Sequence, residues 1–312
     1  MADDTSTLSR LKRLVSSAAS VVAPLSVVTA LLFYFGYASS RAQYDYFGID
    51  VDTIGLSTQD YVMRSPQPLL TPLLALLLLA VVIATLNGAI RRRVATAITG
   101  ARAADSGTAE WSRRRLARGR RIASVIVVVG WVVLVAGVIL LLAYGQFATW
   151  WLYPLVTPLL MALGSAFALY GHWLSRLHDS QERLRPPAVV SMVLLLATSV
   201  FWTTATLAEW SGRGLALEAA RNLDRLPGVI LDTQERLHLT SPNVSETILE
   251  ASPDQSFHYR YGNLRLLIEG QDRLFLVPGG RWSVDNSTLV VPMDSGAVRL
   301  QFQFRNQSPY PD

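Results

Sequence analysis

The chain has 312 residues, 51% of them hydrophobic and only 16% charged, with a mean hydropathy of +0.30. Soluble domains carry about 25% charged residues, so much of this surface meets something other than water. The chain has no cysteine, which excludes disulfides, thiolate catalysis and Cys-ligated metal centres, and its net charge of +5 rests on arginine, Lys12 being the single lysine.

Residues 1–18 carry Arg10, Lys12 and Arg13 and read as a cytoplasmic amino terminus. A first apolar run covers 19–37 and ends on Phe33, Tyr34, Phe35 and Tyr37. No A-x-A cleavage site closes it and more apolar runs follow, so it reads as a retained helix rather than a signal peptide.

The segment "YDYFGIDVDTIGLSTQDYVMRS", 44–65, comes next. Ser57 and Asp60 form an S-x-x-D start signal for a short helix over 58–64, stopped by Pro66 and Pro68. Phe47, Ile49, Val51 and Ile54 nearly alternate, too apolar for a freely solvated loop. The segment is therefore expected to pack, with Tyr46, Phe47 and Tyr61 as candidate contacts to the carboxy-terminal domain or to a partner. Asp50 and Asp52 do not make a calcium loop, because the fifth and twelfth positions hold Ile54 and Tyr61.

Four further runs follow at about 69–90, 122–144, 149–174 and 189–208, within the range needed to cross about 30 Å of hydrocarbon. None of the five holds Asp, Glu, Lys or Arg in its interior. Between the second and third runs, residues 91–121 hold ten arginines against Asp105 and Glu110, a net of +8. Residues 40–66 hold two arginines against four aspartates, a net of −2. With the three arginines of 175–187, every second loop is basic, which places 1–18, 91–121 and 175–187 in the cytoplasm and 40–66 and the tail outside. The 91–121 segment, rich in Arg, Ala and Gly, reads as a mobile loop. Arg91, Arg92, Arg93, Arg113, Arg114 and Arg115 are candidates for contact with anionic headgroups; no aromatic platform accompanies them, so nucleic acid is not expected.

Tyr144, Phe147, Trp150, Trp151 and Tyr153 cluster at the outer ends of the third and fourth runs as interfacial anchors. Ser199, Thr203 and Thr206 put three hydroxyls on one face of the fifth run, a stripe that suits helix packing or, alternatively, a pore lining. His172 has no companion at metal-ligand spacing.

Residues 211–312 carry ten arginines and twelve acids and form a separate unit. A helix is expected within 214–228, ending before Pro227 and Gly228, then strands at 229–231, 236–240, 257–268 (interrupted by a bulge or bend at Gly262), 274–278, 287–293 and 297–304. "GQDR" at 270–273 and "DSG" at 294–296 predict two hairpins. His238 and His258 have no nucleophile near them in sequence.

"YFGIDVDTIGLSTQDYVMRS" together with "YRYGNLRLLIEGQDRLFLVP" resembles uncharacterised multi-pass membrane proteins of actinomycetes. The resemblance implies topology and assigns no functional residue. The expectation is an α-helical membrane protein of the plasma membrane, with five transmembrane helices over 19–210 and a C-terminal extracytoplasmic, mostly antiparallel β (α+β) domain over 211–312. It is expected to act without catalysis, cofactor or metal. Its outside domain would bind a partner protein, lipid or wall component, and homo-oligomerisation of the protein stays open. An alternative reading is a subunit of a channel or exporter; a membrane-embedded enzyme comes third.

Overall fold

The computed structural model describes residues 25–103, 106–147, 149–178, 186–239, 241–250, 256–283, 286–293, 296 and 298–303. The amino-terminal segment, the first six residues of the first apolar run and most of the 175–187 loop lie outside these. The chain divides into two compact units, Met1–Pro68 with Ala208–Asp312, and Leu69–Leu207.

In the second unit, α4 (Pro66–Ala103), α5 (Ser106–Leu142), α6 (Tyr144–Phe147), α7 (Tyr153–His178) and α8 (Pro186–Arg221) follow one another, α4 beginning and α8 ending in the first unit. Among the described residues, four stretches are long and apolar enough to cross a membrane: Pro66–Ala89, Arg121–Leu142, Tyr153–Arg176 and Pro186–Arg221. The described part of the first apolar run lies in a helix over 25–45, α1.

Two expectations about the helices are corrected. The arginine-rich 91–121 segment is not an irregular loop over its described residues: α4 and α5 continue through it as helix up to 103 and from 106. Ala and Arg are strong helix formers, and the glycines there do not offset them. Nor is there a separate helix at 214–228. The last apolar run continues without a break as the 36-residue α8 to Arg221, and a 3-10 turn over Leu223–Arg225 then leads into Pro227.

α5 and α7 are held together by glycine. A Cβ on Gly130 would stand 2.5 Å from the Ala168 backbone nitrogen, and one on Gly164 2.5 Å from that of Leu134. A Cβ on Gly137 or Gly171, each seven residues on, would first meet a side chain, Met161 Cγ at 2.9 Å or Val127 Cγ2 at 2.7 Å, with the Met161 and Val127 backbone nitrogens at 3.2 and 2.9 Å. A spacing of seven returns to the same helix face, so both helices present a smooth groove in which backbones touch. Pro158 removes the N–H that the Pro154 carbonyl would accept within α7. The Thr206 hydroxyl, 3.2 Å from that carbonyl, lies where it can donate instead.

In the first unit the sheet comprises β1 (Gly228–Thr233), β2 (Ser245–Ile248), β3 (Tyr259–Glu269), β4 (Arg273–Pro278), β5 (Leu289–Pro292) and β6 (Val298–Gln303). All pairings are antiparallel and the order is β5-β4-β3-β1-β6, with β2 on β3. The "GQDR" hairpin joins β3 to β4. The "DSG" hairpin does not form: β5 pairs with β4 and β6 with β1, at opposite edges. The strand expected at 236–240 is also missing over 236–239, and β2 takes its place further along. Gly262 and Asn263 oppose the single residue Ile230, a bulge whose positive φ (58°) falls on Asn263.

The sheet buries side chains on both faces. Val229, Leu231, Tyr261, Leu264, Leu274, Leu276 and Val291 form one core. Phe275, Val277 and Ile268 enter another. β4 reads as a continuous apolar run because it serves both.

Candidate functional site

The second of these cores is built from remote parts of the chain. Phe47, Ile49, Val51, Ile54 and Tyr61 of the 44–65 segment are buried in it, with Tyr44 from α1, Ala216 and Ala220 from α8, and Leu223. Local chemistry shapes the segment first. Asp50 caps a one-turn helix, α2 (Val51–Ile54), its carboxylate accepting from the Asp52 N–H at 3.1 Å. Gly55 closes it at φ 78°. Ser57 and Asp60 cap α3 (Thr58–Arg64) reciprocally: Asp60 Oδ2 accepts from the Ser57 N–H at 2.8 Å while Ser57 Oγ accepts from the Asp60 N–H at 3.2 Å. The Ser57 hydroxyl, donating to Asp60 Oδ2 at 2.7 Å, and after it the Ser57 N–H hold the Asp60 carboxyl below the usual carboxylate range.

Short helices cannot stand alone in water; the sheet supplies what they lack. Phe47 meets Trp282 edge-on with ring centres 4.9 Å apart. The Thr288 hydroxyl donates to the Phe47 carbonyl at 2.8 Å, and the Gln271 N–H to the Ile54 carbonyl at 3.2 Å. On the other side Tyr61 packs against Phe33 and Tyr37 of α1 with ring centres 5.4 Å away in each case. Burial pushes the Tyr61 hydroxyl above its ordinary range. Close approach is again glycine-mediated: a Cβ on Gly36 would collide with the Tyr61 carbonyl, and one on Gly212 with that of Ser39.

Of the three contact candidates here, Phe47 and Tyr61 are buried. Tyr46 is 41% exposed, its ring edge against Phe47; alternation turns it outward, so it forms the rim and not the base. Asp50 and Asp52 serve the backbone and Tyr37, whose hydroxyl donates to Asp52 at 3.2 Å. Among the described residues no three His, Asp or Glu side chains converge as a metal site.

The hydroxyls of Ser199 and Thr203 bond to carbonyls four residues back in α8, and Thr206 has its one hydrogen between the Trp202 and Pro154 carbonyls, each at 3.2 Å. Ser199 and Thr206 are buried, and Thr206 reaches the neighbouring α7. Of the six arginine candidates, Arg92 is exposed; the side chains of Arg91, Arg93, Arg113, Arg114 and Arg115 lie outside the description. Among the aromatic anchors, Tyr144, Phe147, Trp150 and Trp151 are exposed, whereas Tyr153 is buried and donates to the Leu140 carbonyl at 2.9 Å.

One charged cluster escaped sequence reasoning. Asp232 of β1 is fully buried between Arg260 of β3 and Arg299 of β6, which reach it at 2.8 and 2.6 Å. Hydrogen bonds from Arg260, then from Arg299, hold its carboxyl below the ordinary range. Nothing local marks this: the three residues meet only once the strands are paired.

These features define a helical protein with four candidate membrane-spanning helices and a C-terminal antiparallel sheet. No protein-family model matches the chain, and no curated protein or solved structure is significantly similar to it.

Proposed function

We propose that the chain is a five-span protein of the cell membrane, amino terminus inside, whose sheet and 40–66 loop form one extracytoplasmic module that binds a partner protein, lipid or wall component without catalysis. The observation that carries this reading is the shared core of Phe47, Tyr61, Phe275 and Val277, through which two segments far apart in sequence shape one body. A loop that only linked two helices would need no such core. The arginine distribution supports the orientation, and the fifth span is the 19–37 run continued in α1. The alternative of a channel or exporter subunit has less support, because Ser199 and Thr203 bond to carbonyls of their own helix and the buried Thr206 reaches Pro154 of α7.

A reporter that is active only outside the cytosol, fused after Asp312, tests the orientation; silence there, with activity for a fusion in the 91–121 segment, inverts the map. Mild-detergent co-purification of the wild type beside Tyr46→Ser and Met63→Ser tests the binding role. These two exposed side chains (41% and 72%) lie on the loop's outer surface. A partner kept equally by all three chains removes the loop from the binding surface, and no constant partner or lipid removes the role.

A further inference from the structure

We infer that β6 is a pairing edge through which two copies of this chain join their sheets. β6 is hydrogen-bonded to β1 on one side, and among the described residues no strand lies on the other. Alternate residues of such a strand turn their N–H and C=O groups outward, a template for strand addition. The two edges of the sheet differ. β5 is four residues long and ends in Pro292, which has no N–H to offer. β6 is six residues long, contains no proline or lysine, and exposes Arg299, Gln301, Phe302 and Gln303.

The side chains of β6 suit a second copy of itself. Val298 and Leu300 pack at the margin of the core on one face, and Phe302, next along that face, is 49% exposed. An antiparallel two-fold pairing centred on Leu300 sets Leu300 against its own copy, Val298 against Phe302, and Arg299 against Gln301. Centring on Gln301 sets Leu300 against Phe302 and Arg299 against Gln303. Either register covers the Phe302 ring with an aliphatic neighbour and places Arg299 opposite a neutral amide. Within the six residues of β6, only centring on Arg299 itself would oppose like charges. An isologous interface of this kind closes after two copies. The inference rests on the sheet alone and holds whichever side of the membrane the sheet occupies.

The cysteine-free chain makes the test direct. Single-cysteine variants Leu300→Cys, Gln301→Cys and, on the opposite edge, Val290→Cys are treated in native membranes with a short membrane-permeant bismaleimide. The expected result is a shift to twice the chain mass for Leu300→Cys or Gln301→Cys, with Val290→Cys unshifted. Adding Phe302→Asp to the reactive variant abolishes the shift, and Phe302→Leu preserves it. A shift in neither β6 variant, an equal shift in all three, or an adduct containing a different protein overturns the inference. So does a shift indifferent to Phe302→Asp. Should Phe302→Asp fail to accumulate, the three single-cysteine variants decide by themselves.

Discussion

α5 and α7 meet backbone to backbone, whereas the 44–65 segment and the sheet meet through large side chains. The first contact depends on what is missing, four glycine side chains at intervals of seven. The second depends on Phe47, Tyr61, Phe275, Val277 and Trp282. The solvent explains the difference. Between helices in lipid, burying a leucine gains little over leaving it in acyl chains, so attraction comes from close approach and hydrogen bonds such as Thr206 to Pro154. A loop and sheet facing water gain about 1.5–3 kcal/mol for each large apolar side chain they hide. Large-to-small changes should therefore damage the loop–sheet contact, and small-to-large changes the helix pair.

The largest effect is expected from Phe47→Ala. Removing a ring that is 2% exposed leaves a cavity beside Trp282, and such truncations cost about 3–5 kcal/mol. Limited proteolysis of the full chain in detergent should then cut within 44–65, which the wild type resists. Equal resistance in both would mean that the segment is held by its own caps and not by the sheet.

Asp232→Asn separates the sheet's own cohesion from the loop's. Breaking a buried ion pair costs about 3–5 kcal/mol, and the partial exposure of Arg260 and Arg299 (36% and 48%) puts this site at about 3. The effect depends on pH in a defined direction. The folded carboxyl is depressed relative to the unfolded one, so its contribution is complete above the unfolded value of about 3.9 and is lost as pH falls through the lower folded value. Thermal unfolding should show wild type and variant far apart at pH 7 and converging toward pH 3. A gap that is constant with pH would assign the loss to packing and not to charge.

Which of these features could be read in the sequence depends on the range of the interaction. The uncharged runs behind α4, α5, α7 and α8 are legible because lipid demands length and apolarity from each helix separately. The caps at Ser57 and Asp60 are legible for the same local reason. The fate of β5 and β6 is not. "DSG" is a sound turn signal, but partner choice is decided where Arg299 finds Asp232 and where Val290 and Val291 find Phe275 and Leu274. The apolar run ends and the charged composition begins near 210, which is why a boundary is expected there. Gly212 instead admits the Ser39 backbone, and α8 runs on. The glycines at 130, 137, 164 and 171 did carry a readable signal in their spacing of seven.

That spacing gives the smallest and most discriminating prediction. Gly164→Ala adds a single methyl group, and alanine is by itself the better helix former by about 1 kcal/mol. Were α7 an isolated helix, the change would stabilise it. In the α5–α7 pair the new Cβ would lie 2.5 Å from the Leu134 nitrogen, 2.7 Å from its Cα and 2.9 Å from its Cβ. Backbone cannot step aside as a flexible side chain can, so the helices must separate along the whole groove that Gly130, Gly137 and Gly171 share. Overpacking of this kind costs about 1–3 kcal/mol, enough to outweigh the gain in propensity. Gly88→Ala on α4 is the control, since nothing stands within 4 Å of a Cβ placed there. The two substitutions should move the melting temperature of the detergent-solubilised chain in opposite directions, Gly164→Ala downward and Gly88→Ala level or upward. A common sign would mean that propensity, and not backbone contact, governs the helix pair.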